Sequence, residues 1–363
     1  MKRLLLFCLP LLLFGCSKKR QGDEYGFPQV YSLTSKMYDT DIILRAPDMF
    51  LVDSFAVVCC SSTPKDFLQV YSISQGFRHL LSTGRTGRGP LEFLQYPILN
   101  TTEGNDIFIQ SLNAFELARL RVTGTEDGDV EIKEIWRRRF EFPPELGRMI
   151  DNWAWNEPFY PVRLNSGYFA GVQFANNPRF FSLWDDDMNF VRFFGYAPIP
   201  EKFEFTSGSR HLQGSLRSHG NRMVHAANLL PYLALYEIND DEPVLKWAKY
   251  FLRPVYEVDN ENIVLSGSST FGLTQGLSLG ENYIYLAFKD LFLSEYDGRI
   301  AERRDSDIIF VFDYDGNRVA RLDLDRRIFL SPAVSADERT LYGITETDEG
   351  YRFVEFELPK FGK

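Results

Sequence analysis

One pattern comes round six times along this chain and restricts its fold more than any other feature. Apolar runs rich in β-branched and aromatic residues start at Val57, Ile107, Tyr168, Met223, Tyr283 and Leu341, 50 to 61 residues apart. Each is followed by a second such run, and all but the last by a polar turn and a third run. In the first unit these are residues 57–60, 67–73 and 77–81, with a Gln75-Gly76 turn before the last. A further run precedes most units, as at 49–55, 272–279 and 331–335. Short alternating or aromatic runs bounded by Gly, Asn, Asp and Pro read as strands, and self-similarity at this period marks a repeat architecture. The expected fold class is all-β, a six-bladed β-propeller of four-stranded antiparallel blades. The sixth unit lacks an outer strand. A segment from the N-terminal side, 28–33 or 41–44, is expected to supply it and close the ring, which removes sheet edges that would pair with other chains. No Pro/Gly/Ser-rich linker divides residues 27–363, which read as a single propeller domain.

Composition agrees with this reading. The 363 residues carry 40 Lys and Arg against 50 Asp and Glu, a formal net charge of −10. A nucleic-acid partner would need a basic footprint, so none is expected. At 44% hydrophobic and 25% charged, the chain has the apolar surface to fold. Its 32 Phe, 18 Tyr and 5 Trp suit pleated, half-buried surfaces and the wedge-shaped gaps between blades packed face to face. Four cysteines are too few for a disulfide-stapled mini-domain.

Met1-Lys2-Arg3 is a short basic segment, and residues 4–14 form an apolar stretch broken by Pro10. That stretch is about half the length of a membrane-spanning helix. Leu13-Phe14-Gly15-Cys16 resembles a lipobox, the cleavage and acylation signal of bacterial lipoproteins. Phe14 departs from it, because a small residue is commoner there. The other reading is an ordinary secretory signal with a chance cysteine. The resemblance implies a signal peptide over 1–15, an acylated Cys16, and a flexible tether over 16–26. Several acyl chains anchor stably where one binds reversibly, and Lys18, Lys19 and Arg20 would rest on anionic headgroups. It also implies a place in the cell envelope, lipid-anchored at the outer membrane, facing the periplasm or the exterior.

Two further stretches carry a family resemblance. Gly84-Arg85-Thr86-Gly87-Arg88-Gly89-Pro90-Leu91-Glu92-Phe93 resembles the glycine-rich signature of NHL-type propeller repeats. Ser331-Pro332-Ala333-Val334-Ser335-Ala336-Asp337-Glu338-Arg339-Thr340-Leu341-Tyr342 is similar to a blade motif of TolB-like propellers, with Ala336-Asp337-Glu338 in place of the usual Pro-Asp-Gly. Together with the lipobox, the chain resembles TolB-like and NHL-like six-bladed envelope lipoproteins of Gram-negative bacteria. The role of that group is mostly undefined, so the resemblance bears on fold more than on function. It does imply which face binds: the loops that enter each innermost strand, and those between second and third strands, surround the channel on one face.

The loop at 84–90 falls on that face. Arg85 and Arg88 would grip a carboxylate or phosphate; alternatively the loop ties one blade to the next, and its arginines cap carbonyls or pair with Glu92. Asn113, Asn176, Asn177 and Asn228 follow the second strands of units two, three and four. They offer amides to a sugar or peptide, or are plain turn residues. Trp153 and Trp155 lie in a long insertion, where they would stack on a sugar or partner side chain or pack a blade edge. The acidic turns at 185–187, 239–241 and 313–316 fall on the opposite face. They lack the further ligands of an EF-hand loop and read as hairpin turns. His211, His219 and His225 have no recognised metal spacing, and His79 stands apart. Cys59 and Cys60, adjacent on an apolar strand, would point to opposite faces as small buried hydrophobes. No nucleophile elbow, zinc-protease or Walker motif occurs.

The expected function is a membrane-tethered module, monomeric and without metal or cofactor, that binds an unidentified protein or glycan at its channel face. The alternative is a propeller hydrolase or lyase with a channel metal, acting on a carbohydrate or peptide.

Overall fold

The computed structural model describes residues 25–40, 48–60, 64–94, 97–111, 114–125, 128–141, 159–172, 179–195, 214–227, 230–252, 257–259, 262–264, 270–292 and 305–362. Among the described residues every regular element is a strand. Two short strands come first, β1 (Val30–Leu33) and β2 (Ser35–Met37). The first sheet holds β3 (Asp48–Val52), β4 (Phe55–Cys59), β5 (Lys65–Ser72), β6 (Arg78–Thr86) and β7 (Glu92–Phe93) in chain order. The second holds β8 (Pro97–Glu103), β9 (Asp106–Ser111), β10 (Glu116–Thr123) and β11 (Glu131–Arg139). The third holds β12 (Phe159–Arg163), β13 (Phe169–Val172), β14 (Phe181–Trp184) and β15 (Phe190–Phe194). The fourth holds β16 (Gly214–His219), β17 (Arg222–Ala227), β18 (Tyr232–Asn239) and β19 (Glu242–Tyr250). A small hairpin, β20 (Glu257–Asp259) and β21 (Asn262–Val264), follows. The last sheet has eight strands: β22 (Thr270–Leu279), β23 (Tyr283–Phe292), β24 (Asp305–Asp313), β25 (Arg318–Val334), β26 (Thr340–Thr347) and β27 (Gly350–Glu357), with β2 beyond β27 and β1 against β25.

This all-β meander is a β-propeller. Four blade-like sheets stand separately where six are expected. The difference lies in β25, one continuous 17-residue strand. Its start pairs with β24 and its end with β26, so the last two repeat units merge into one sheet. The innermost strands β3, β8, β12, β16, β22 and β25 touch one another in that order, and β25 touches β3 again. They ring a central channel.

Side-chain alternation explains how the sheets pack. Successive strand residues face opposite sides, so each central strand feeds two neighbouring interfaces. Cys59 and Cys60 illustrate this. Both are buried, and Cys59 packs with Leu99 and Ile109 of the second sheet while Cys60 packs with Ala333 and Phe353 of the last. Among the described residues the buried apolar side chains form six such clusters, each between neighbouring sheets or between the halves of the large one. Aromatic pairs fill them, as expected: Phe77 stacks on Phe353 at 4.2 Å and Phe181 meets Tyr236 edge-on at 5.3 Å.

The outer strand beside β27 does come from the N-terminal side, but it is residues 35–37, with Ser35 opposite Phe356. Of the two stretches expected there, 28–33 contributes β1, which runs parallel to β25, and 41–44 lies outside the described residues. The burial pattern accounts for the difference: Tyr31 and Leu33 on alternate positions of β1 pack against the cluster around Leu322 and Val354.

The acidic turns are hairpin devices. Asp185 Oδ1 accepts the N–H groups of Asp187 and Asn189 at 2.9 and 2.8 Å, and Asp313 Oδ1 those of Asp315 and Asn317 at 3.0 and 2.7 Å. In both, the Asn amide closes back on the other Asp oxygen at 2.9 Å. The turns are also gripped from the preceding sheet. Arg138 bonds the Asp186 carbonyl and pairs with Asp187 at 3.0 Å, Arg192 pairs with Asp241, and Lys249 donates to the Asp315 and Gly316 carbonyls.

Candidate functional site in the central channel

The strands that ring the channel bring together a polar set that the repeat pattern did not single out. On β16, Gly214 sits so close to β17 that a Cβ there would lie 1.8 Å from the Ala226 carbonyl oxygen. This tight start seats Leu216 in the apolar cluster between the third and fourth sheets and leaves Arg217 for the channel. Arg217 reaches across it. One terminal nitrogen donates to the Leu216 carbonyl and the other to Ser331 Oγ of β25, each at 3.0 Å. The guanidinium lies 4.8 Å from the centre of the Phe50 ring on β3, a cation–π distance. Its carboxylate partner, Asp48, stands 3.9 Å away, and the Arg217 side chain is only 15% exposed. Burial pushes this guanidinium below its ordinary pKa, against the opposing pull of Asp48.

Beside Arg217 is a cavity of about 140 Å³, edged by the hydroxyl residues Thr101, Thr102, Ser218, Ser278 and Ser331. Ser218 Oγ donates to the Arg163 carbonyl at 2.5 Å, and Ser278 Oγ accepts the Val334 N–H at 3.3 Å. These bonds fix the wall. Among the described residues no group of three or more His, Cys, Asp or Glu converges on a point.

Most of the expected site residues lie outside the described residues: Asn113, Trp153, Trp155, Asn176, Asn177, Asn228 and the lipidation residue Cys16; His211, for which no site role was expected, lies outside them too. Arg85 and Arg88 are described and both are exposed, but neither lines the cavity. Arg85 pairs with Glu92 at 2.5 Å, as the connecting-loop reading has it. The Gly89 N–H and then Arg85 hold the Glu92 carboxyl below its usual range. Arg137 of β11 donates to the Glu92 carbonyl at 2.8 Å, and Glu134 accepts the Leu91 N–H at 3.1 Å. The loop is thus bonded to itself and to the second sheet. The described histidines lie apart: His79 bonds Ser82, His219 meets Glu281 at 3.0 Å, and His225 is buried against Phe180 and Phe181. Burial pushes the Cys59 thiol up, which leaves it an inert packing group.

Arg217 was missed for a definable reason: the strand before unit four carries a weak apolar signal, Gly-Ser-Leu-Arg-Ser-His. Aligning innermost strands across the repeat would have narrowed the choice to Arg217, Arg163 of β12 and the arginines of β25, because β3, β8 and β22 carry no cation.

No protein-family model matches the chain, and no curated protein does. Solved structures do. A member of the DUF4221 family from Bacteroides vulgatus superposes with a TM-score of 0.55 at 12% identity, over 91% of this chain and 97% of that one. Regucalcin, a calcium-binding protein from Agrobacterium tumefaciens, gives 0.45 at 12% identity over 92% and 98%. Glutaminyl cyclase from Myxococcus xanthus gives 0.39 at 9% over 92% and 100%. At these identities the likeness concerns the fold alone.

Proposed function

We propose that this protein is a lipid-anchored binding module of the bacterial envelope, a six-bladed propeller tethered through Cys16 that takes a ligand or partner at its channel. The observation that carries the binding reading is the hydroxyl-edged cavity crossed by Arg217. A concave site with a few convergent polar groups is the usual form of a ligand site. Six blades are supported by the ring of six innermost strands and by the six interface clusters. On that reading β25 serves two blades at once. The TolB-like and NHL-like resemblance and the lipobox support the envelope setting. Among the described residues no helix is long and apolar enough to cross a membrane.

Two measurements test it. In cell fractionation, Cys16→Ala moves the protein from the membrane pellet to the soluble fraction; retention in the pellet rejects the anchor. In a glycan and peptide screen on the detergent-extracted full chain, a bound ligand shields the channel, and Ser278→Leu, which fills the cavity, abolishes its binding. A ligand that binds Ser278→Leu unchanged places the site elsewhere.

A further inference from the structure

The channel cavity has a charge imbalance that points to its occupant. A guanidinium carries five N–H donors in a rigid planar fork. Among the described residues Arg217 uses them on two hydrogen-bond partners, Leu216 O and Ser331 Oγ. The facing carboxylate, Asp48, stays at 3.9 Å, beyond hydrogen-bond reach. An enclosed cation this poorly compensated is costly, and its lowered pKa has the same origin. The fork is nevertheless held in place by the Phe50 ring and the two oxygens, so a ligand meets it already oriented. The wall combines hydroxyls with apolar surface from Phe50 and Leu279.

We propose that this cavity binds a small organic monocarboxylate, its two oxygens forked on Arg217 and its short apolar chain against Phe50 and Leu279. The proposal rests on the reading of the channel as the ligand site and specifies the ligand class. A carboxylate matches the guanidinium fork with two parallel hydrogen bonds. One charge suits the site, because Asp48 already supplies one negative group and a dianionic phosphate would leave the channel strongly negative. The volume sets the size. A cavity near 150 Å³ holds a molecule of about six heavy atoms such as benzene, so about 140 Å³ admits a short-chain acid, or the carboxylate end of a longer one.

The test titrates the full chain in detergent with acetate, propionate, butyrate, propionamide and inorganic phosphate, by calorimetry and thermal shift. The expected result is binding of the carboxylates, strengthening with chain length, with at least tenfold weaker binding of propionamide and phosphate. Arg217→Met is expected to weaken the carboxylates at least tenfold, and Arg339→Met, at an exposed turn residue, to leave them unchanged. Far-ultraviolet circular dichroism checks that Arg217→Met folds. Ser278→Leu keeps the guanidinium and fills the cavity, so its loss of carboxylate binding stands as a second line if Arg217→Met does not fold. Phosphate or propionamide binding as tightly as propionate, or carboxylate binding undiminished in the folded variants, overturns the proposal. So does silence of all the carboxylates. A neutral glycan that binds wild type but not Ser278→Leu, with the carboxylates silent, overturns this proposal alone. If the carboxylates are silent and every glycan or peptide that binds also binds Ser278→Leu unchanged, both readings fall.

Discussion

At the scale of single residues, charge placed under cover is the main determinant of what this sequence must satisfy. Asp106 begins β9 with its side chain 5% exposed, and it accepts the Nε–H of both Arg119 and Arg121 at 2.7 Å. Burial alone would raise its pKa; the Arg121 and Arg119 hydrogen bonds outweigh burial and hold the carboxyl below the usual Asp range. A folded-state pKa below the unfolded value stabilises the protein above the unfolded value, about 3.9. That contribution is lost as pH falls through the folded value. Asp106→Asn is therefore expected to lose about 2 kcal/mol at pH 7, less than a fully buried pair because Arg121 is 46% exposed and can turn to water. The gap between wild type and variant should close towards pH 2. Urea unfolding at both pH values measures it, and a gap independent of pH would show that the carboxylate charge is immaterial. Asp106 and its two arginines were not legible in the sequence, because β9 and β10 bring together residues that alternation alone scatters among solvent-facing positions.

At the scale of elements, the strands were legible and several turn chemistries were too. Runs bounded by Gly, Asn and Asp became β4 to β6 and β9 to β11 nearly as written, since half-buried alternation leaves one register that buries the apolar face. The Asp185 and Asp313 turns also read correctly, because an Asx side chain bonding the backbone two residues on is a local property. The glycine-rich loop was half legible. Its glycines signalled special backbone, but its partners Glu134 and Arg137 lie more than 40 residues on. One of its glycines and one in the β8–β9 turn separate backbone need from packing need. Gly84 has φ +87°, and a Cβ there would lie 2.6 Å from the Phe67 ring; Gly104 has φ +56° with open space around it. Left-handed backbone costs a non-glycine residue about 1 kcal/mol, and overpacking adds about 1–3 kcal/mol. Gly104→Ala is expected to cost about 1 kcal/mol and Gly84→Ala about 2–4 kcal/mol by urea midpoint. Equal costs would mean that the Phe67 ring simply moves aside.

At the scale of the whole molecule, the repeat revealed the propeller, but neither the merging of its last units nor the way the N-terminal segment is held. Both are long-range effects. The merger needs β25 to run without a turn, and no Gly or Asn interrupts residues 318–331. The N-terminal segment is held by more than strand pairing. Phe27 is 1% exposed and stacks on Phe310 at 4.6 Å, and Tyr25 lies 5.2 Å from the same ring. Both belong to the cluster that joins β17 and β18 to β23 and β24. One segment of 16 residues therefore wedges an interface through Phe27, flanks β25 through β1, and edges β27 through β2. Its removal should be felt around the ring. Phe27→Ala, a buried Phe emptied to a methyl group, is expected to cost about 3–5 kcal/mol and to lower the midpoint of a single cooperative unfolding transition. Deletion of residues 25–40 should lower that midpoint further and speed amide exchange in β9 and β10 of the second sheet and β13 and β14 of the third as well as in β25 and β27. The second and third sheets make no strand pairing with the deleted segment and share no apolar cluster with it, so their loss of protection would report the ring acting as one cooperative unit. Exchange that quickens in β25 and β27 alone would mean that the segment stabilises only the sheet it pairs with.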